Sequence, residues 1–195
     1  MAIGRINATL TGVQPGGLAK VVPTSVAVGS GSGSVSSNGL VSFSGASSVS
    51  FNDVFNATYT NYKILIDTDS TEGDTALTMR MRVSGADNSS NNYRWASGYK
   101  DTGTGAIAGQ SGSGLTSSFR VMAHSSSGRS FSSLDFFNPF TTEETGYVGN
   151  YFQIASSGFA QFVGGNMSVT TSYTGFTLIT LAGTMTGTVS VYGYN

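Results

Sequence analysis

Apolar and polar residues alternate with period two along most of this chain. The clearest stretch is Leu77–Val83, where Leu77, Met79, Met81 and Val83 alternate with Thr78, Arg80 and Arg82. Period two means a strand with one dry and one wet face. Just upstream, Tyr62, Ile64 and Ile66 alternate with Lys63, Leu65 and Asp67, and a polar loop, TDSTEGD, separates the two runs. Two such runs around a short polar loop predict a β-hairpin. Phe51, Val54, Phe55 and Tyr59 precede them as bulky cover for the dry face. The only helix candidate is a single turn within Phe51–Tyr59, with Asn52 or Asp53 as its cap.

From Gly39 onward strand-like runs recur at short spacing. They are read at Leu40–Phe43, Ser48–Phe51, Asn61–Asp67, Ala76–Ser84, Tyr93–Tyr99 and Ser118–His124, then at Phe131–Phe137, Tyr147–Ile154, Phe159–Val163, Met167–Thr171, Phe176–Leu181 and Thr188–Tyr192. Turn pairs such as Asn38-Gly39, Ser84-Gly85, Asn138-Pro139 and Gly164-Gly165 separate them. Many short strands at this spacing predict an all-β protein, an antiparallel β-sandwich or barrel. The stretch DTGTGAIAGQSGSGLT, Asp101–Thr116, is long for a hairpin loop, and predicts a mobile segment or one ordered only against a partner.

Residues 1–36 differ from the rest. They hold no aromatic residue, include Pro15 and Pro23, and run into GSGSGS at Gly29–Ser34, a linker-like composition. The domain division is therefore an extended N-terminal arm over 1–36 and a sandwich over 37–195. The arm is either a loose tail or an extended segment docking on a neighbouring chain through short β-like pieces, Ala19–Val22 and Ser25–Val28. Fully extended it would reach roughly 120 Å at about 3.3 Å per residue.

Composition narrows the function classes. Charged residues are 10% of the chain, against about 25% in an average globular protein. The 27 glycines fit a turn-rich β protein, and 12 Phe with 9 Tyr fit a packed core, not a disordered chain. A net charge of −1 with scattered Lys and Arg gives no electrostatic footprint for nucleic acid. The absence of cysteine removes disulfides, thiolate metal sites and cysteine nucleophiles. No run reaches the ~20 apolar residues of a membrane span, and MAIGRINATLTG has no signal-peptide core, so synthesis in the cytoplasm is expected.

Candidate chemistry is sparse. Asp67, Asp69, Glu72 and Asp74 put four carboxylates in eight residues, a weak calcium candidate. EF-hand spacing fails, because Gly73 stands seventh from Asp67 and Thr78 occupies the position of the bidentate glutamate. A solvated, charge-bearing loop is the alternative. Tyr93, Trp95 and Tyr99 share one strand face and are the candidate binding residues. They form either a stacking platform for a glycan or partner surface, or a row with a member in the core. His124 is the single histidine and has no metal or triad companion. Glu143, Glu144 and Asp135 give no defined glycosidase pair, and the glycine-rich runs lack a following Lys-Thr. No catalytic residue and no cofactor are expected.

The segment SVSFNDVFNATYTNYKILID, the strand LTMRMRVSG, the pair Asn92-Tyr93 and the terminal TGTVSVYGY together resemble virion structural and fibre-like proteins of tailed phages, including those of marine cyanobacteria. The resemblance covers about residues 40–100 and the last ten. It implies a jelly-roll-like β-sandwich at a virion surface or tail appendage, non-enzymatic and oligomeric, with a trimer as the working guess. In that reading residues 1–36 contact other virion proteins, and the sandwich is a capsid-decorating or tail-appendage subunit. The alternative is a receptor- or carbohydrate-binding fibre tip that contacts a host-surface glycan.

Overall fold

The computed structural model describes residues 17–72, 75–112, 114–123, 126, 128–154 and 158–195. Residues 1–16 of the expected arm, Asp74 and His124 lie outside them. The described residues contain no helix, hence none long and apolar enough to cross a membrane. Sixteen strands form two antiparallel sheets, the all-β sandwich that the alternating pattern predicts.

The strands, in chain order, are β1 (Ala19–Val21), β2 (Ser25–Val28), β3 (Ser32–Val35), β4 (Val41–Ala46), β5 (Ser48–Asn52), β6 (Asn61–Ser70), β7 (Ala76–Val83) and β8 (Ala86–Asp87). Then follow β9 (Tyr93–Asp101), β10 (Ile107–Ser111), β11 (Phe119–Ala123), β12 (Ser130–Phe137), β13 (Gly146–Gln153), β14 (Phe159–Met167), β15 (Gly175–Thr180) and β16 (Met185–Tyr194). The ten-stranded sheet runs β10-β9-β14-β13-β12-β6-β16-β4-β3, with β1 also on β16. The six-stranded sheet runs β11-β7-β15-β5-β2, with β8 on β7. Ten and six strands exceed the eight of a jelly roll, so this strand order is the better description.

Four local expectations change. The runs expected to pair as a hairpin, β6 and β7, lie in different sheets: β6 pairs with β12 and β16, and β7 with β15, β11 and β8. Both dry faces turn into the core between the sheets, where Tyr62, Ile64, Ile66, Leu77, Met79 and Met81 are all buried. Phe51–Tyr59 is not helical. Asp53 adopts a left-handed φ of 55° at the end of β5, and the following loop drives Val54 and Phe55 into the core. The expected strand Met167–Thr171 is instead the end of β14 followed by a loop. Within Asp101–Thr116, residues Ile107–Ser111 are β10, hydrogen-bonded to β9 as a hairpin, and Thr116 bridges back to Tyr93.

Within the expected arm, residues 19–35 form strands paired with this chain. Ala19–Val21 pairs with Val191–Gly193 of β16, β2 with β5, and β3 with β4, all within this chain. The Gly29–Ser34 run is a turn and the start of β3 rather than a spacer. These segments cover strand edges that would otherwise present unpaired N–H and C=O groups. β4 occupies one edge of β16 over Met185–Val189, and β1 continues it to Gly193.

One aromatic network joins the sheets. Phe119 of the six-stranded sheet packs 4.4 Å from Tyr147 of the other, and Tyr147 stacks on Phe136 at 5.4 Å. Phe55 lies between Phe176 at 5.8 Å and Tyr62 at 4.8 Å, and Phe176 stacks on Phe51 at 4.5 Å. A Tyr59 ring lies flat against Gly193, where a Cβ would come within 2.1 Å of it.

Two outcomes test this fold. Phe119→Ala should lower stability by about 3–5 kcal/mol in urea unfolding, because it removes a fully buried ring shared by both sheets. Deleting 1–36 should yield a chain that aggregates or loses cooperative unfolding, as the open edges of β5, β4 and β16 dictate. A truncated chain with an unchanged urea midpoint would show that β1–β3 contribute nothing.

Candidate functional site

Tyr93, Trp95, Ser97 and Tyr99 do share one face of β9, the face turned inward. Tyr93 is fully buried, edge-on to Phe119 at 4.8 Å. Its hydroxyl accepts the Met81 N–H at 3.0 Å and donates to the Asn88 carbonyl at 2.6 Å. Burial pushes this phenol well above the usual tyrosine range. Tyr93 is therefore a core residue, and the three-residue platform reduces to Trp95 and Tyr99, both half-buried. The edge strand β11 of the partner sheet packs over the inner faces of β9 and β14 there.

Arg120 of β11 lies against this inner face. Its guanidinium lies 5.8 Å from the Trp95 ring centroid, within cation–π range. Beside it is a cavity of about 180 Å³, walled by Tyr99, Phe159, Tyr151, Gln161 and Arg120, with Gln110 exposed at its margin. Tyr99 and Phe159 meet edge-on at 5.4 Å. The Tyr151 hydroxyl donates to Gln161 Oε1. Gln161 is 5% exposed, and its Nε2 has no hydrogen-bond partner among the described residues; nor has Arg120 Nε. Burial raises the Tyr151 phenol, and the Arg120 charge works against that rise.

The opposite face of the same sheet is unlike a solvated surface. Phe131 of β12 stands directly across from Phe152 of β13, with Leu65 and Phe162 on the diagonals. They line a shallow groove of about 700 Å³. Phe162 is 64% exposed and lies across Gly98 of β9, where a Cβ would come 2.5 Å from its ring. Val148 and Phe137 extend the apolar strip. Paired charges flank it: Lys63 Nζ to Asp135 at 2.7 Å, and Arg129 to Asp67 at 2.7 Å. The signal for this face was present in the sequence, since β12 and β13 carry large apolar groups at both parities: Phe131 and Phe137 against Leu134 and Phe136, and Val148 and Phe152 against Tyr147 and Tyr151.

The other expected sites do not come together. Asp67 is engaged by Arg129, Asp69 lies along the same face of β6, Glu72 is exposed, and Asp74 lies outside the described residues. Among the described residues no three His, Cys, Asp or Glu side chains are grouped to hold a metal. Glu143 and Glu144 are exposed, with Glu144 accepting from Asn166 Nδ2 at 2.8 Å, while Asp135 is held by Lys63 and by the Tyr194 hydroxyl at 3.1 Å. Arg82 is consumed on the outer face of the six-stranded sheet by Asp87, Ser50, Asn52 and Thr177.

No protein-family model, no curated protein and no solved structure matches this chain. Its chemistry rests on the two sides of one sheet: an apolar outer face and a donor-rich cavity on the inner face.

The tyrosines set an alkaline limit. Burial raises the phenols of Tyr62, Tyr93, Tyr147 and Tyr151, and burial together with Asp135 pushes Tyr194 up to about 12. In the unfolded chain they ionise near pH 10. Above that pH the unfolded state binds fewer protons than the folded state, so stability falls as pH rises. Thermal unfolding midpoints should be flat with respect to these groups from pH 7 to about 9, then drop steadily above pH 10. A midpoint that stays level to pH 12 would contradict the burial of these hydroxyls.

Proposed function

We propose that this protein is a non-enzymatic structural subunit that assembles with copies of itself through the outer face of the ten-stranded sheet, as a component of a tailed-phage virion. The observation that carries the assembly reading is the strip Leu65, Phe131, Phe152, Phe162 and Val148 on that face. Contiguous apolar patches of this kind mark interaction sites on soluble proteins.

The face suits a second copy in size and charge. Five inter-strand spacings of ~4.8 Å, from β16 to β9, by eight residues at ~3.4 Å give roughly 650 Å² before side-chain relief, close to the ~800 Å² each partner buries in a standard interface. Lys63, Asp135, Arg129 and Asp67 are neutralised within the chain, so two such faces can meet without like-charge repulsion. The virion assignment is supported by the resemblance of FNDVFNATYTNYKILID, LTMRMRV and TGTVSVYGY to tailed-phage structural proteins. Assembly in that setting needs no catalytic group, and a low-charge, hydroxyl-rich sandwich meets the requirement.

Light scattering coupled to size exclusion on the full chain should give a discrete oligomer. Phe162→Asp should convert it to monomer with the unfolding midpoint changed by less than about 0.5–1 kcal/mol, because Phe162 is an exposed surface residue. A wild-type chain that stays monomeric across the micromolar range, or a Phe162→Asp oligomer indistinguishable from wild type, would refute the interface.

A further inference from the structure

We propose that the cavity beside Arg120 is a binding site for a small, ring-bearing carboxylate, of the kind a uronic-acid unit of a glycan presents. The site lies on the inner face of β9 and β14, opposite the apolar strip, so it stands apart from the assembly reading.

Lys63, Arg82 and Arg129 each hold a carboxylate, from Asp135, Asp87 and Asp67. Arg120 is half-buried, and no carboxylate pairs with it among the described residues. Its guanidinium lies against the Trp95 ring and beside the Tyr151 hydroxyl, both uncharged, and its Nε is buried without a partner among the described residues. A cation partly withdrawn from water is favoured by a counter-charge beside it. No acidic side chain lines the cavity beside it. The missing partner is therefore an anion from outside the chain.

The neighbouring groups say which anion. Gln161 is 95% buried by virtue of its 5% exposure, its Oε1 is occupied by the Tyr151 hydroxyl, and its Nε2 is left without a partner. An arginine fork and a carboxamide N–H suit a planar carboxylate, which accepts two parallel hydrogen bonds from guanidinium. The volume, about 180 Å³, corresponds to about six waters at ~30 Å³ each. That is more than a lone carboxylate or sulfate fills and less than an oligosaccharide needs. Tyr99 and Phe159 supply an aromatic wall for the apolar face of a ring, and Gln110 at the margin supplies an amide for its hydroxyls. Water filling the cavity would satisfy Gln161 but leave the Arg120 charge unmatched. Of the three candidate stacking residues Tyr93, Trp95 and Tyr99, Tyr99 thus lines the site and Trp95 backs the arginine.

Trp95 is the single tryptophan and lies against Arg120, so its fluorescence reads this site directly. The full chain would be titrated with sodium D-glucuronate at constant ionic strength, by fluorescence and calorimetry. The expected result is saturable binding with a Kd of about 1 mM or tighter, and at least tenfold weaker binding of glucose, acetate and sulfate. Arg120→Gln should weaken glucuronate by about tenfold to a hundredfold. Gln161→Leu, a second variant that leaves the Trp95–Arg120 contact in place, should weaken it by about tenfold. No saturable response to glucuronate would overturn the proposal. Glucose binding equally well would remove the carboxylate, and acetate or sulfate binding equally well would reduce the site to an adventitious ion only. Unchanged affinity in a folded Gln161→Leu chain would place any binding elsewhere.

Discussion

Tyr147 is where the two sheets are locked together. Its ring packs against Phe119 and Phe136, and its hydroxyl donates at 2.7 Å to the backbone carbonyl of Arg120. The ring contacts hold the sheets at packing distance, and the hydrogen bond fixes where β11 sits over the wider sheet. Since Arg120 is the next residue after Phe119, one aromatic contact in the core also sets the guanidinium against Trp95. Burial of the Tyr147 phenol, which resists ionisation, ties this arrangement to pH as well as to packing.

The unequal widths of the sheets follow from the same geometry. β11 ends the narrower sheet, while β14, β9 and β10 continue the wider one. The inner face of β9 and β14 carries polar and aromatic side chains, Tyr99, Gln161 and Trp95, with Arg120 of β11 set against them. Strand alternation puts Phe162 and Gly98 on the reverse side of the same backbone. A single pair of strands thereby serves an assembly surface on one side and a ligand cavity on the other, and neither needs a loop to build it.

The polar interior is concentrated at this end. Thr68, Ser130 and Gln161 are all buried on the inner face of the wider sheet. The opposite end is filled by Tyr62, Phe136, Phe55 and Phe176. Tyrosine hydroxyls there find local partners, as when Tyr62 exchanges hydrogen bonds with both backbone groups of Asn56. The aromatic end supplies cohesion, and the polar end, less completely satisfied, is where chemistry is available.

The amino-acid sequence alone determined the fold class, most strand positions and the inward faces of β6 and β7, because period-two alternation records which side of a strand is dry. It could not say which strand pairs with which: β6 and β7 look like a hairpin in sequence, yet they belong to different sheets, since alternation specifies a face and not a neighbour. For the same reason residues 17–36 read as an arm, and their small side chains gave no hint that β1–β3 close the edges of β16, β5 and β4. Tyr93 and Trp95 share a face in sequence and in space, and only the packing against β11 decides that the first is buried on Phe119 and the second is half-buried beside Arg120. The apolar outer strip was legible as strands apolar at both parities. The unpaired charge of Arg120 was not, because a missing counter-ion becomes visible only when every neighbour has a place.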